Sequence, residues 1–245
     1  MNELLIDLGN SRLKYAEVQN GVVLRAFAVN HGDGDWRNIL ARGLADLARP
    51  ERVRVAAVAH ELVTQAALAS IQEIWPGIAL TRVTAETHAG ALRSAVNEPK
   101  RLGVDRFLTA LVAAKTTRDT LIIGCGTALT ADFVDASGLH HGGWIAPGPE
   151  TMRAAVLARA ARVHWLREGK VQDFATNTEN ALESGAWHAT AGFAERAIRT
   201  AEAQCAGNLQ VWLHGGGAET LAGLLIQPVT LQRDLVFQGL LLLDR

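Results

Sequence analysis

Cysteine is scarce in this chain: its 245 residues include two, Cys125 and Cys205, far apart in sequence. They cannot form a disulfide framework, and no cysteine or histidine spacing reads as a zinc site. Net charge is nearly absent too, at a formal −1. A nucleic-acid binder carries a basic surplus or stripe, so that class is excluded, whereas a small anionic ligand needs only a few local cations. Long apolar runs are also missing. "LVFQGLLLLD" near the C-terminus is short and is broken by Gln238 and Gly239, well under the roughly 18 residues of a membrane span. The opening "MNELLIDLGN" has no basic region before its apolar run, unlike a signal peptide. A soluble cytoplasmic protein with no membrane partner is expected.

What the chain does have is enough apolar sequence, 49 %, to fill the core of one large domain or two small ones. Residues 3–8 read as a strand, Gly9–Ser11 as a turn, 12–18 as a return strand and Asn20-Gly21 as a hairpin turn. "VVLRAFAV" is a third strand. Then come a helix over 35–48 ended by Arg49-Pro50, a strand over 52–59, a helix over 61–75, a strand over 78–85 and a helix over 106–117.

After the polar "TTRD" the order begins again. "TLIIGCGTALTADFVDASG" is a strand, a glycine turn, a second strand and a hairpin turn. Gly126 falls on Gly9 and Thr127 on Asn10, and Gly138 follows Gly126 by the same interval as Gly21 follows Gly9. "HHGGWIAPG" adds a strand, 149–168 and 177–207 read as helices, and "NLQVWLHGGGAETLAGLL" as strand, glycine loop and helix. The expectation is two α/β domains, 1–118 and 119–245.

Glycine turns at strand ends let backbone N–H groups approach phosphate closely. In the first turn Asn10 and Ser11 add donors and Lys14 a positive charge, while the Asp7 carboxylate suits magnesium, which prefers oxygen ligands. In the second turn Thr127 can donate, and Asp132 offers another carboxylate. Gly215-Gly216-Gly217 would let a flat ring such as adenine lie on the backbone. Asp105, at a helix start, is kept ionised by the dipole and suits a general base for phosphoryl transfer. Arg106 can bind an anionic group in fork geometry. Each feature also has a structural explanation: a turn cap for Asp7, a solvated lysine, a tight strand-to-helix connection, a dipole-stabilising acid.

Six stretches, "DLGNSRLK", "LGVDR", "GCGTALTAD", "GGWIAPG", "NTENALESGA" and "HGGGAE", follow one another between residue 7 and about residue 219. Together they resemble the type III pantothenate kinases, of the acetate and sugar kinase, Hsc70 and actin superfamily. The resemblance implies two ribonuclease-H-like (actin-like ATPase) domains with ATP in a cleft between them. It implies transfer of the ATP γ-phosphate to pantothenate, giving 4′-phosphopantothenate in the first step of coenzyme A synthesis, and a homodimer. By motif, Asp7, Leu8, Gly9, Asn10, Ser11, Arg12, Leu13 and Lys14 form the first phosphate loop and Thr127 belongs to the second. Gly215 and Gly216 belong to the nucleotide site. Gly103, Val104, Asp105 and Arg106 contact pantothenate, with Asp105 as proton acceptor, and Thr178 reaches substrate from the partner subunit.

Two departures bear on this. Many family members bind potassium or ammonium with an aspartate where this chain has Gly124, so the monovalent cation, K+ or NH4+, is in question. Many also carry a pocket tyrosine where Val96 lies. A related small-acid or sugar kinase and a non-catalytic nucleotide-binding regulator of transcription are the rival readings. An esterase is excluded because "HGGG" is followed by no G-x-S-x-G elbow. A zinc protease is excluded because Thr64 stands where a second histidine would follow His60-Glu61.

Overall fold

The computed structural model describes residues 1–32, 34–160, 167–205 and 207–243. In chain order the elements begin with β1 (Asn2–Leu8), β2 (Arg12–Gln19), β3 (Val22–Asn30), α1 (Trp36–Ala45), β4 (Arg52–Ala57), α2 (Glu61–Ile74), β5 (Ala79–Val83), β6 (Arg93–Ser94) and α3 (Val104–Ala113). There follow β7 (Thr120–Cys125), β8 (Ala128–Val134), β9 (Leu139–Pro147), α4 (Pro149–Arg159), α5 (Thr178–Glu202), β10 (Gln210–His214), α6 (Ala218–Leu224), β11 (Thr230–Leu231) and α7 (Leu235–Leu242). The expected helix over 149–168 is present as α4, and residues 161–166 of that expectation lie outside the described residues.

The chain packs into two compact units, neither continuous in sequence. Unit 1 comprises Met1–Leu92, Val96–Val112 and Asp234–Arg245, and unit 2 comprises Arg93–Ala95 and Ala113–Arg233. In unit 1 a five-stranded sheet runs β3-β2-β1-β4-β5, with β1 and β4 parallel and the hairpins antiparallel. In unit 2 a six-stranded sheet runs β11-β10-β7-β8-β9-β6. Read outward from the first strand of each, five strands follow the same order, two antiparallel neighbours on one side and two parallel ones on the other, and unit 2 adds the short β6 beyond β9. The repeat legible in the glycine spacing is thus a repeat of topology.

Strand alternation explains the packing of unit 1. Leu4, Ile6 and Leu8 of β1 and Val53 and Val55 of β4 share a core with Leu40 and Leu44 of α1 and Ala67 and Ile71 of α2. Side chains at odd positions of β1 point the other way, toward the face on which α7 packs. On that face Arg54 is 4 % exposed and Glu3 5 %. Arg54 Nε and Nη2 each donate to Glu3 at 2.9 Å, and Nη1 donates to the carbonyl of Leu240 in α7. The ion pair therefore fastens the C-terminal helix to β1 and β4. Helix α7 also lies against α3, where a Cβ at Gly239 would stand 2.5 Å from the Leu108 carbonyl oxygen. In unit 2 the sheet packs its Leu121, Ile123, Leu129 and Leu213 on Trp187, Ala191, Ala194 and Ile198 of α5.

Arg54→Met would leave the Glu3 carboxylate buried with Arg52 as its remaining cationic partner at 3.0 Å. We expect a loss near the low end of the ~3–5 kcal/mol that follows breaking a buried pair, read as a lower urea midpoint with unchanged slope.

Candidate active site

The first glycine turn sits where β1 ends. Leu8 and Leu13 are fully buried on either side and anchor it. Gly9 N–H donates to the Arg12 carbonyl at 2.9 Å, which closes the loop and leaves Asn10 and Ser11 exposed. The loop is braced from outside: the Leu8 carbonyl accepts from Val58 N–H at 2.9 Å, and Arg12 Nε donates to Asn30 Oδ1 at 2.7 Å. His31 holds it twice, through its ring Nε2 to the Gly9 carbonyl at 2.8 Å and its N–H to the Ser11 carbonyl at 3.2 Å. Sequence reasoning passed over His31. Its only signal is its place in a polar turn after a strand.

Asp7 and Lys14 stand directly opposite each other across the β1–β2 hairpin. The spacing of acid and lysine about the turn is therefore a cross-strand pairing, of the kind that stabilises opposite charges. Burial pushes the Asp7 carboxyl up to about 6; Lys14 pulls it down, and the carboxylates of Asp105 and Asp234 push it further up. Three acids and one lysine of unit 1 thus share one electrostatic neighbourhood. Asp105 is in the first turn of α3, half-buried, with its Oδ1 accepting from Arg106 N–H at 2.8 Å. A Cβ at Gly103 would come within 2.7 Å of that oxygen, so the glycine makes room for the carboxylate. Val104 is buried and can reach a ligand through its backbone alone. Asp234 precedes α7 in the left-handed region, φ 59°, and no sequence pattern announced it.

The donor set fits a hard divalent cation of the magnesium type. A desolvated carboxylate whose neighbours are mostly acids gains from a positive charge beside it. Among the described residues no three His, Cys, Asp or Glu side chains converge as a cage, and magnesium uses one or two carboxylates, keeping water and phosphate oxygens for the rest.

In unit 2 the second turn exposes Gly126 and Thr127. Gly126 N–H donates to the Ala128 carbonyl at 3.0 Å, and the Thr127 carbonyl accepts from Gly148 N–H at 2.9 Å and Thr151 Oγ1 at 2.6 Å. The triple-glycine loop folds back on the end of β7. Gly217 N–H donates to the Cys125 carbonyl at 3.0 Å, and Gly215, at φ +94°, leaves no room for a Cβ against that same carbonyl. Gly215 and Gly216 keep their backbones exposed. Burial pushes the Cys125 thiol up to about 11, so it stays protonated and is a poor ligand.

Three other expected positions fall as follows. A Cβ at Gly124 would lie 2.6 Å from Thr130 Oγ1 and 2.9 Å from His214 Nε2; the space an acidic side chain would need is filled. Thr178 is exposed at the first position of α5, which Asn177 caps by accepting from Asn180 N–H at 2.9 Å. Asp132 corrects its expected role as a metal ligand. It is 2 % exposed and accepts from His140 Nε2 at 2.8 Å, so its charge is directed into the body of unit 2.

Comparison with known proteins places the chain in a family. The family model for type III pantothenate kinase matches residues 3–200. The type III pantothenate kinase of Xanthomonas oryzae pv. oryzae (strain PXO99A) is 39 % identical over 240 residues, covering 98 % of this chain and 96 % of that one. That of Stenotrophomonas maltophilia (strain R551-3) is 38 % identical over 230 residues, covering 92 % and 90 %. Among solved structures, a conserved, provisionally named Baf family transcriptional activator from Campylobacter jejuni superposes with a TM-score of 0.61 at 18 % identity, covering 98 % and 96 %. A provisionally named 2-dehydro-3-deoxygalactonokinase from Sinorhizobium meliloti does so at 0.58 and 14 %, covering 99 % and 98 %. These structural likenesses show the fold, that of the actin-like ATPases and sugar kinases.

The raised Asp7 carboxyl has a measurable consequence for the ligand-free protein. An acid whose folded pKa exceeds its unfolded value binds its proton more tightly when folded, so stability falls as pH rises from the ordinary aspartate value of 3.8 to about 6. Asp7→Asn removes that loss. The variant is expected to be more stable than wild type by about 3 kcal/mol at neutral pH, with the difference vanishing in acid, as urea titrations across the range would report.

Proposed function

The chain belongs to the type III pantothenate kinase family, and from that premise we propose how its own residues carry the reaction. It is an ATP-dependent kinase that transfers the γ-phosphate to pantothenate, giving 4′-phosphopantothenate, the first step of coenzyme A synthesis. Catalysis of this kind rests on positioning and charge neutralisation more than on covalent chemistry.

The roles divide by unit. In unit 1 the backbone of Leu8, Gly9, Arg12 and Leu13 and the side chains of Asn10 and Ser11 hold phosphate oxygens, and Lys14 supplies positive charge to them. Asp7 would hold Mg2+, which when bound neutralises charge on the transferring group. Asp105 takes the proton of the pantothenate hydroxyl, and Gly103, Val104 and Arg106 orient that substrate, Arg106 through its carboxylate. In unit 2 Thr127 donates to phosphate, and the exposed backbone of Gly215 and Gly216 accepts the adenine ring. The observation that supports the assignment is the neighbourhood of Asp7, Lys14 and Asp105, since a phosphoryl acceptor's base must lie near the cation and the phosphate anchors.

We further read the enzyme as a cytoplasmic homodimer in which Thr178 reaches the partner's substrate. Supporting this, Ala181, Gly185 and Ala189 form an exposed small-residue stripe on α5 next to Thr178, which suits close helix packing. Among the described residues no helix is long and apolar enough to cross a membrane. A regulator without catalysis, the rival suggested by the name of the Campylobacter protein, has no use for a base held beside the phosphate anchors.

Coupled ADP release with pantothenate tests the assignment. Asp105→Asn is expected to lower turnover by about 10²–10⁴-fold while leaving ATP affinity, measured by calorimetry, near that of wild type. A variant that keeps its turnover, or one that loses ATP binding, would remove Asp105 from the role. With the space beside Gly124 filled by Thr130 and His214, the wild-type rate is expected to be the same with potassium as without it. A strict potassium requirement would overturn that reading.

A further inference from the structure

The first glycine turn is held by a residue that has no part in the roles assigned above. His31 directly follows β3, one step beyond the paired residues Arg12 and Asn30. Its N–H donates to the Ser11 carbonyl at 3.2 Å, which carries the β2–β3 ladder into the turn. Its ring reaches further, and Nε2 lies 2.8 Å from the Gly9 carbonyl. A carbonyl only accepts, so this bond requires the ring to carry a proton on Nε2. The imidazole is half-buried and meets the ring of Trp36, the first residue of α1, edge-on, with centroids 6.2 Å apart and planes at 67°. It is thus fixed by packing on one side and by a hydrogen bond on the other, and all of these groups belong to unit 1.

The two bonds fix the direction of the turn's backbone donors. In a planar trans peptide the carbonyl and the N–H of the following residue point opposite ways, and among the described residues no peptide bond is cis. Holding the Gly9 carbonyl therefore aims the Asn10 N–H away from His31, and holding the Ser11 carbonyl does the same for the Arg12 N–H. These two peptides bracket the exposed tip, Asn10-Ser11. Backbone N–H groups turned to one side of a tight turn form an anion-binding concavity. Gly9 has the greatest backbone freedom in the turn, so the peptide that follows it is the one that most needs an external hold. Its own N–H closes the loop on Arg12, and its carbonyl is left to His31.

We propose that His31 is a positioning residue for ATP: by clamping the Gly9 and Ser11 carbonyls it orients the backbone donors of the phosphate loop before nucleotide arrives. The inference rests on the assignment of this turn to the ATP phosphates. His31 acts through the backbone and needs no contact with the nucleotide. A loop already in donor geometry loses less freedom on binding, so the effect is felt in the binding of ATP and not in that of the acceptor.

Steady-state kinetics on the full chain tests this with His31→Phe, His31→Gln and Lys14→Met. His31→Phe keeps a ring against Trp36 and removes the donor. It is expected to raise KM for ATP by about three- to tenfold, the contribution of one ordinary hydrogen bond, with KM for pantothenate and kcat unchanged. His31→Gln supplies a side-chain N–H at a similar reach and is expected to return KM for ATP to near the wild-type value. Unchanged KM for ATP in His31→Phe would overturn the proposal. So would a His31→Gln variant as impaired as His31→Phe, or equal changes in the KM values of both substrates. Lys14→Met tests the underlying assignment separately, since it removes the cation beside the turn and leaves His31 in place. It is expected to raise KM for ATP, and a variant that leaves that KM unchanged would instead refute the phosphate-loop assignment on which the proposal stands.

Discussion

A half-buried carboxylate at the end of a central strand is the constraint around which unit 1 is organised. Asp7 is fixed there, because β1 is paired on both sides and covered on both faces. Its cross-strand partner Lys14 offsets part of the cost, and two further acids add to it. A fold selected for stability alone would put an apolar or neutral residue there. A cation beside Asp7 would offset the excess negative charge.

The rest of unit 1 serves to keep that carboxylate and its turn in place. His31 and Val58 tie the glycine loop to its surroundings through its backbone carbonyls, and Asn30 does so by accepting from the Arg12 side chain. The buried Glu3–Arg54 pair fastens α7 by a carbonyl, and α7 begins immediately after Asp234. Buried ion pairs contribute little net stability in general. Here the pair supplies direction, since the guanidinium's planar fork can satisfy a carboxylate and a helix carbonyl at once.

Unit 2 repeats the strand–turn–strand opening with different chemistry. Its turn presents a threonine hydroxyl and glycine backbone with no buried acid beside them. The place where an acid would lie is occupied by Thr130 and His214. Among the described residues its buried carboxylate, Asp132, accepts from His140. Two sheets with five strands in the same order therefore differ in what their first turns present: charged side chains in unit 1, a neutral hydroxyl and exposed backbone in unit 2.

Local pattern in the sequence was sufficient for the strands and helices that are long and periodic and for the glycine turns, because each depends on residues close in the chain. The order of six short motifs was sufficient for the family. Elements with too few residues to show a period were not legible: β6 and β11 have two each. Nor was the membership of α7 in unit 1, since its burial is set by Arg54 and Leu108, which are distant in sequence. Only the tertiary structure decided that Asp234 and Asp105 bear on Asp7, that Asp132 belongs to His140, and that Gly124 leaves room for a histidine. Electrostatics and steric exclusion act through space, and a linear pattern records neither the distance between two charges nor the volume a neighbour already fills.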